Sequence, residues 1–296
     1  MKLLPASQLV KLLKKEGVKF EIISAQDAIY SMSHINHCYK LMTYGDNFPK
    51  DANHRYQNLD FAYLTDLAAV DLQLRDYLLS LALDVEHGVK VMLINYLAND
   101  TSENGYTIVE EFAAQFPSQY KMLLAQFHNN KYKQASFRQY QDKLPVWELM
   151  ENSSYGVLSQ FLDFYYQKTQ YKRLRRLYHS LKFCKNIRNA CAHSNPFLVT
   201  LFSNNDVLDK PSAPIVTAAQ QMGIPRKYLR DLKIHDLVAT FSLHKFLQSP
   251  KMQGHRYRQG KRVLVRFHRH AAWYAGNQKL TTFFDLLEKM IDYLER

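Results

Sequence analysis

The chain has 296 residues, 47% of them apolar, enough to bury the core of one large domain or two small ones. Its formal charge of +12 points towards polyanionic partners, while the absence of any apolar run near the roughly 18–20 residues of a membrane span excludes a transmembrane protein. Three cysteines without a CxxC pair exclude a disulfide scaffold and place the protein in a reducing compartment, the cytoplasm.

Only nine glycines and nine prolines punctuate the chain, and helical periods recur throughout, so the expected class is all-α. The opening MKLLPASQLVKLLKKEG breaks its leucines with Pro5, Gln8 and Lys11 and reads as a short amphipathic helix, not a secretory leader. Further short helices are expected to about residue 50, with turns at Glu16-Gly17 and GDNFPKDANH. Leu67, Val70, Leu74, Leu78, Leu81, Val85, Val89, Met92 and Tyr96 then step by three and four, predicting a helix of roughly thirty residues ended by NDTSENG. Two shorter helices are expected between Thr107 and Lys143. Pro145 suits a helix start, and NSSYG suits a break. A second long helix is predicted from about Gln170 to Ala192. LVTLFSNNDVLDKPSAP reads as a loop or a short hairpin, and three or four helices complete the chain, HDLVATFSLHKFL and TTFFDLLEKMIDYLER being the clearest. The regions expected are 1–60, a core over 61–200, and a basic helical region over 201–296.

The positive charge is concentrated. Lys172, Arg173, Arg175, Arg176, Lys182, Lys185 and Arg188 form one tract without an acid; Lys251, Arg256, Arg258, Lys261, Arg262, Arg266 and Arg269 form another. Taking these fourteen from the 39 basic residues leaves 25 against 27 acids, so the remainder is nearly neutral. Both tracts are interleaved with aromatic residues (Tyr178, Phe183, Tyr257, Phe267), a pattern suited to nucleic acid, although a solvated helix face has the same look. In the second tract, Arg256, Arg258, Arg262, Arg266 and Arg269 recur at spacings that put several on one face, expected to hold RNA phosphates away from any reaction centre.

The first tract ends in NIRNACAHSNP. Leu174, Leu181 and Arg188 form a heptad series, so Arg188 falls on the apolar stripe, where it must meet a carboxylate or face another molecule. Asn189 and His193 are four apart and share a face, and Pro196 limits the helix, leaving His193 at its C-terminus, where the dipole favours a cation. Arginine offers a fork of donors to phosphate oxygens and histidine exchanges protons near neutral pH, so the group can hold a phosphate and move a proton. Glu86 lies at the edge of the first long helix's stripe; it can pair with Lys90 or reach across to Arg188 or His193. No metal set is expected: a lone Cys191-x-His193, or His34 and His37 at i, i+3, is more often incidental than a ligand set, and Cys184 and Cys191, about 10 Å apart on one helix, cannot bridge.

RNACAH resembles the R-N-x-x-x-H motif of HEPN ribonucleases. Three further stretches resemble the Abi family of abortive-infection proteins (AbiD/AbiF-like), a branch of that superfamily: INHCYKLMTYGDNF (35–48), DLQLRDYLLSLALDVEHGVKVML (71–93, with Glu86 embedded) and PVWELMENSSYGVLSQF (145–161). Tyr155 stands where the family usually has Phe, Lys90 where it has Arg, and the last third of the chain matches less well. The resemblance implies a HEPN-type helical bundle with additional N- and C-terminal helices, dimerising with the motif helices facing each other. It implies RNA cleavage without metal or cofactor, with an RNA 2′-OH as nucleophile, in phage-defence toxins of which some are restrained by a structured small RNA. By position, Arg188 would bind the scissile phosphate, His193 act as general acid/base and Asn189 orient one of them. A non-catalytic RNA-binding module is the alternative. A nonspecific DNA-binding protein would explain the tracts but not the motif.

Overall fold

The amphipathic periods of the sequence resolve into fifteen α-helices and no strand among the described residues of the computed structural model, 3–35, 38–203 and 207–295: the protein is all-α. Short helices α1 (Ala6–Lys15), α2 (Ala25–His34) and α3 (Cys38–Thr43) precede the central α4 (Phe61–Ala98). Asp60 caps α4 by accepting from Ala62 N at 2.8 Å, and also takes Glu21 N at 2.8 Å, fastening the N-terminal segment to the helix start. The periodic pattern underestimates α4, which runs 38 residues. The polar stretch expected to hold two helices holds three, α5 (Thr107–Gln115), α6 (Pro117–Asn129) and α7 (Gln134–Tyr140), because Pro117 starts a new helix where the pattern alone would continue.

Next come α8 (Val146–Asn152) and α9 (Tyr155–Thr169), separated within NSSYG, with Ser154 capping α9 through Val157 N at 3.3 Å. The second long helix, α10 (Arg175–Ala192), begins later than expected. Gln170 adopts a left-handed conformation (φ 52°) that ends α9, and a 3₁₀ turn over Lys172–Leu174 intervenes. The loop that follows forms no hairpin among the described residues; a single bridge joins Val207 and Asp231. The chain closes with α11 (Ala213–Gln221), α12 (Leu232–Leu247), α13 (Pro250–His268), α14 (Ala271–Tyr274) and α15 (Gln278–Glu295).

The buried side chains form two clusters, and both long helices cross from one to the other. The first half of α4 packs with α1–α3 and α11–α15 and receives Ile187 and Cys191 of α10. Its second half, Ala82 to Leu97, packs with α5–α9 and with Leu174, Leu177, Leu181 and Cys184. Two helical glycines permit close approach: a Cβ on Gly88 would sit 2.9 Å from Leu247 Cβ, and one on Gly260 would sit 2.7 Å from Ile291 Cγ1. Each glycine costs about 1 kcal/mol in helix propensity, offset by the packing it admits.

α4 also carries acids that burial would penalise if unpaired. Asp84 binds Arg256 of α13 twice, Nε at 2.6 Å and NH2 at 2.9 Å, and takes His244 Nε2 of α12 at 3.0 Å. Asp66 takes Arg266 of α13 and the Tyr274 hydroxyl at 2.6 Å. The pairings 84 with 256 and 66 with 266 run in opposite senses, so α13 lies antiparallel to α4.

Candidate functional site

The helix carrying the motif stops before its proline. Asn195 N donates to Ala190 O at 3.1 Å and Ser194 N to Cys191 O at 3.0 Å, a Schellman closure with Ser194 in the left-handed region (φ 56°). Serine there costs roughly 1–2 kcal/mol relative to a relaxed backbone, so the surroundings must hold the turn. His193 is the C-cap, its backbone N–H donating to Asn189 O at 3.0 Å, and its side chain is exposed.

Arg188 and Asn189 are half-buried one turn earlier. Arg188 NH1 donates to Asn189 Oδ1 at 3.2 Å. Arg188 Nε is buried and has no hydrogen-bond partner among the described residues, nor is Arg188 in an ion pair there. A guanidinium nitrogen left so costs about 1–3 kcal/mol, and no carboxylate offsets it.

What holds the turn after His193 is a buried carboxylate. Asp71 of α4, fully shielded from solvent, takes Phe197 N and Leu198 N at 2.7 Å each on one oxygen, and the Tyr44 hydroxyl and Arg75 Nε at 2.8 Å each on the other. Burial first, then the charge of Asp71, raise the Tyr44 phenol well above its ordinary range, so it stays a donor. Asn47 donates to Leu198 O at 2.7 Å, and Lys40 donates to Ser194 O. Burial and then the neighbouring Arg75 lower the Lys40 ammonium, with Asp71 opposing. These residues fix the backbone on which His193 sits. Sequence reasoning assigned them no role, although the signal is there: Asp71 and Arg75 are i, i+4 in DLQLR, and Lys40, Tyr44 and Asn47 lie in CYKLMTYGDN. Asn36 and His37, just ahead of it in INHCYKLMTYGDNF, lie outside the described residues.

Glu86 takes Lys90 Nζ at 3.1 Å, and both are largely buried. It stands in the same neighbourhood as the motif: Glu86 and Arg188 both act electrostatically on the buried Tyr155 hydroxyl, which burial and then Cys184 raise well above the ordinary range. Cys191 feels Arg75, Asp71 and Asp76, and Cys184 feels Glu86, so α4 and α10 lie side by side in opposite senses. Burial pushes both thiols up to about 12, which makes neither a nucleophile.

The two basic tracts meet different fates. In the first, no ion pair among the described residues engages Lys172, Arg173, Arg175, Arg176, Lys182 or Lys185. Arg176 donates to Ser242 Oγ at 2.5 Å and lies over the Phe246 ring at 5.0 Å. In the second, Arg256 and Arg266 turn inward to Asp84 and Asp66, and Lys261 takes Glu288 at 2.9 Å and Asp292 at 2.8 Å. The solvent face of α13 therefore carries Lys251, Arg258, Arg262 and Arg269, without Arg256 and Arg266. Among the described residues, no group of three or more His, Cys, Asp or Glu side chains is placed to hold a metal ion, and no helix is long and apolar enough to cross a membrane.

Comparison with curated proteins and with solved structures gave no match to this chain. The model of the family described as Abi-like protein matches residues 32–198, a segment that starts on α2, includes the Tyr44, Asp71 and Arg75 cluster and ends on Leu198, whose N–H that cluster holds; the chain belongs to this family.

Proposed function

We propose that the protein is an abortive-infection endoribonuclease of the HEPN type, cutting RNA without a metal ion. The observation that carries the reading is Arg188, whose buried Nε has no hydrogen-bond partner among the described residues, one turn ahead of an exposed His193 at a rigidly closed helix end. In this reading, phosphate oxygens of the scissile bond accept from the terminal nitrogens of the Arg188 guanidinium, which no carboxylate engages among the described residues. A histidine takes the proton of the RNA 2′-OH, the 2′-oxygen attacks phosphorus, and the P–O5′ bond breaks. The departing 5′-oxygen takes a proton, leaving a 2′,3′-cyclic phosphate and a 5′-hydroxyl. Asn189, already in contact with Arg188, orients the guanidinium. Glu86, through Lys90 and the shared Tyr155 neighbourhood, shapes the adjoining wall.

One motif histidine per chain suits a cleft between two copies, each supplying a His193, one as base and one as acid. The outer face of α4 supports this arrangement. Leu72, Leu79 and Leu83 form an apolar stripe beside the α10 end, with Leu72 and Leu83 about half exposed.

The test is incubation of the purified protein with labelled single-stranded RNA and DNA, with and without EDTA. RNA cleavage that survives EDTA and leaves cyclic phosphate ends is expected. His193→Ala should slow it by about 10²–10⁴-fold, with the melting curve unchanged. Undiminished cleavage by that variant overturns the assignment of His193. RNA binding without cleavage by the wild type would make the protein a binding module instead.

A further inference from the structure

A groove of about 700 Å³ opens between the start of α10 and α11, some distance from the motif. One wall carries Lys172, Arg175, Arg176 and His179; the other is the uncharged helix Ala213–Gln221. Among the described residues no carboxylate lines it. Cations gathered on a concave surface without counter-charge repel one another and focus a positive potential outward, which favours an anion entering from solvent. The guanidiniums of Arg175 and Arg176 suit the oxygens of a phosphodiester, and Arg176 is already pre-set by Ser242 and the Phe246 ring.

The groove also lies in line with the candidate site. From Arg175, the outward face of α10 presents His179, Lys182, Asn186 and Asn189 at steps of four, three, four and three, and His193 follows four later. Asn186 is tied to Asp236 at 2.9 Å and serves the wall; Lys182 is exposed. At 1.5 Å per residue the ridge from Arg175 to His193 is about 27 Å long. An extended strand of several nucleotides laid along it reaches both ends.

We propose that the groove is a phosphate-binding exosite for single-stranded RNA, seating the backbone of the strand whose scissile bond lies at Arg188 and His193. The identity of the strand rests on the ribonuclease reading, but binding in the groove does not require cleavage. The full-length His193→Ala protein, which holds RNA without consuming it, is titrated with a labelled single-stranded RNA long enough to span the ridge, over a range of salt. Lys172→Gln with Arg175→Gln should weaken binding and flatten the log-affinity against log-salt slope by about 1.4, roughly 0.7 for each phosphate no longer neutralised. With His193 intact, the same double variant should cut a dinucleotide at the wild-type rate and the long strand more slowly. Both replaced side chains are exposed, and an unchanged melting curve confirms the fold. Unchanged affinity and slope would overturn the exosite. So would an equal loss on replacing Arg258 and Arg262 by Gln, which would reduce the effect to net charge. If the groove variant loses RNA while the wild type cuts no RNA at all, the exosite stands and the ribonuclease reading falls.

Discussion

The two basic tracts are alike in the sequence, seven cations and no acid in each, yet α10 and α13 use them differently. On α13, Arg256, Lys261 and Arg266 meet carboxylates supplied by α4 and α15. On α10, among the described residues, no ion pair engages any of the seven, although Lys182 and Lys185 act electrostatically on Asp163 of α9. A run without local acids is therefore no measure of unpaired charge, because helices exchange counter-ions with neighbours distant in the chain. α13 commits three of its seven cations to ion pairs that hold the fold; α10 commits none, which is why the anion partner proposed above is assigned to α10.

The largest effect that tests this contrast is on the inner pair of α13. Asp84→Ala leaves Arg256 half-buried without its partner and is expected to cost about 3–5 kcal/mol, read as a fall in denaturation midpoint. A loss below about 1 kcal/mol would show that α13 is not anchored there. Acid titration sharpens the same point. Burial pushes the Asp84 carboxyl up, but hydrogen bonds from Arg256 and His244 outweigh it and hold it at about 2. With the folded value below the ordinary one near 3.9, the stabilisation is fully present above about pH 4 and is lost as pH falls towards 2. Asp84→Asn should flatten that part of the stability profile; an unchanged acid limb would remove Asp84 from the account.

On α10 the expectation has the opposite sign. Arg188→Met removes a buried nitrogen with no partner among the described residues and should leave the stability unchanged or raise it by about 1 kcal/mol, while abolishing cleavage. A clear drop in stability would make Arg188 a structural residue and erase the difference between the tracts. Smallest of all, Arg258→Gln with Arg262→Gln, on the solvent face of α13, should change stability by less than about 0.5 kcal/mol in thermal or urea melts.

The helices themselves were legible: the sequence pattern located α12 and α15 to within a few residues of their ends, and α4 and α10 at their C-terminal ends. The ends that escaped are the start of α4, six residues ahead of Leu67, and the start of α10, delayed because Gln170 takes the left-handed conformation for which glycine is the usual signal; the end of α10 at Ala192 was legible from Pro196. Arg188 on the stripe and His193 at the helix end were readable from spacing alone. The partners were not. Period reveals which face of a helix is buried, but not which distant helix covers it, so Asp84 with Arg256, 172 residues apart, and Asp66 with Arg266, 200 apart, are invisible in the pattern. Asp71 escaped for the same reason: two of its four donors are backbone amides 126 and 127 residues away.

The pairing of α4 with α13 also sets an order of assembly during translation. Asp66 and Asp84 leave the ribosome some 170–200 residues ahead of the arginines that neutralise them. At about 5–20 residues per second, that is an interval of roughly ten to forty seconds. Throughout it the two carboxylates must stay hydrated, so the side of α4 destined for α13 stays wet in the nascent chain. The segment 32–198 shared with the family contains the acids but none of the arginines, and its burial is completed by residues synthesised last.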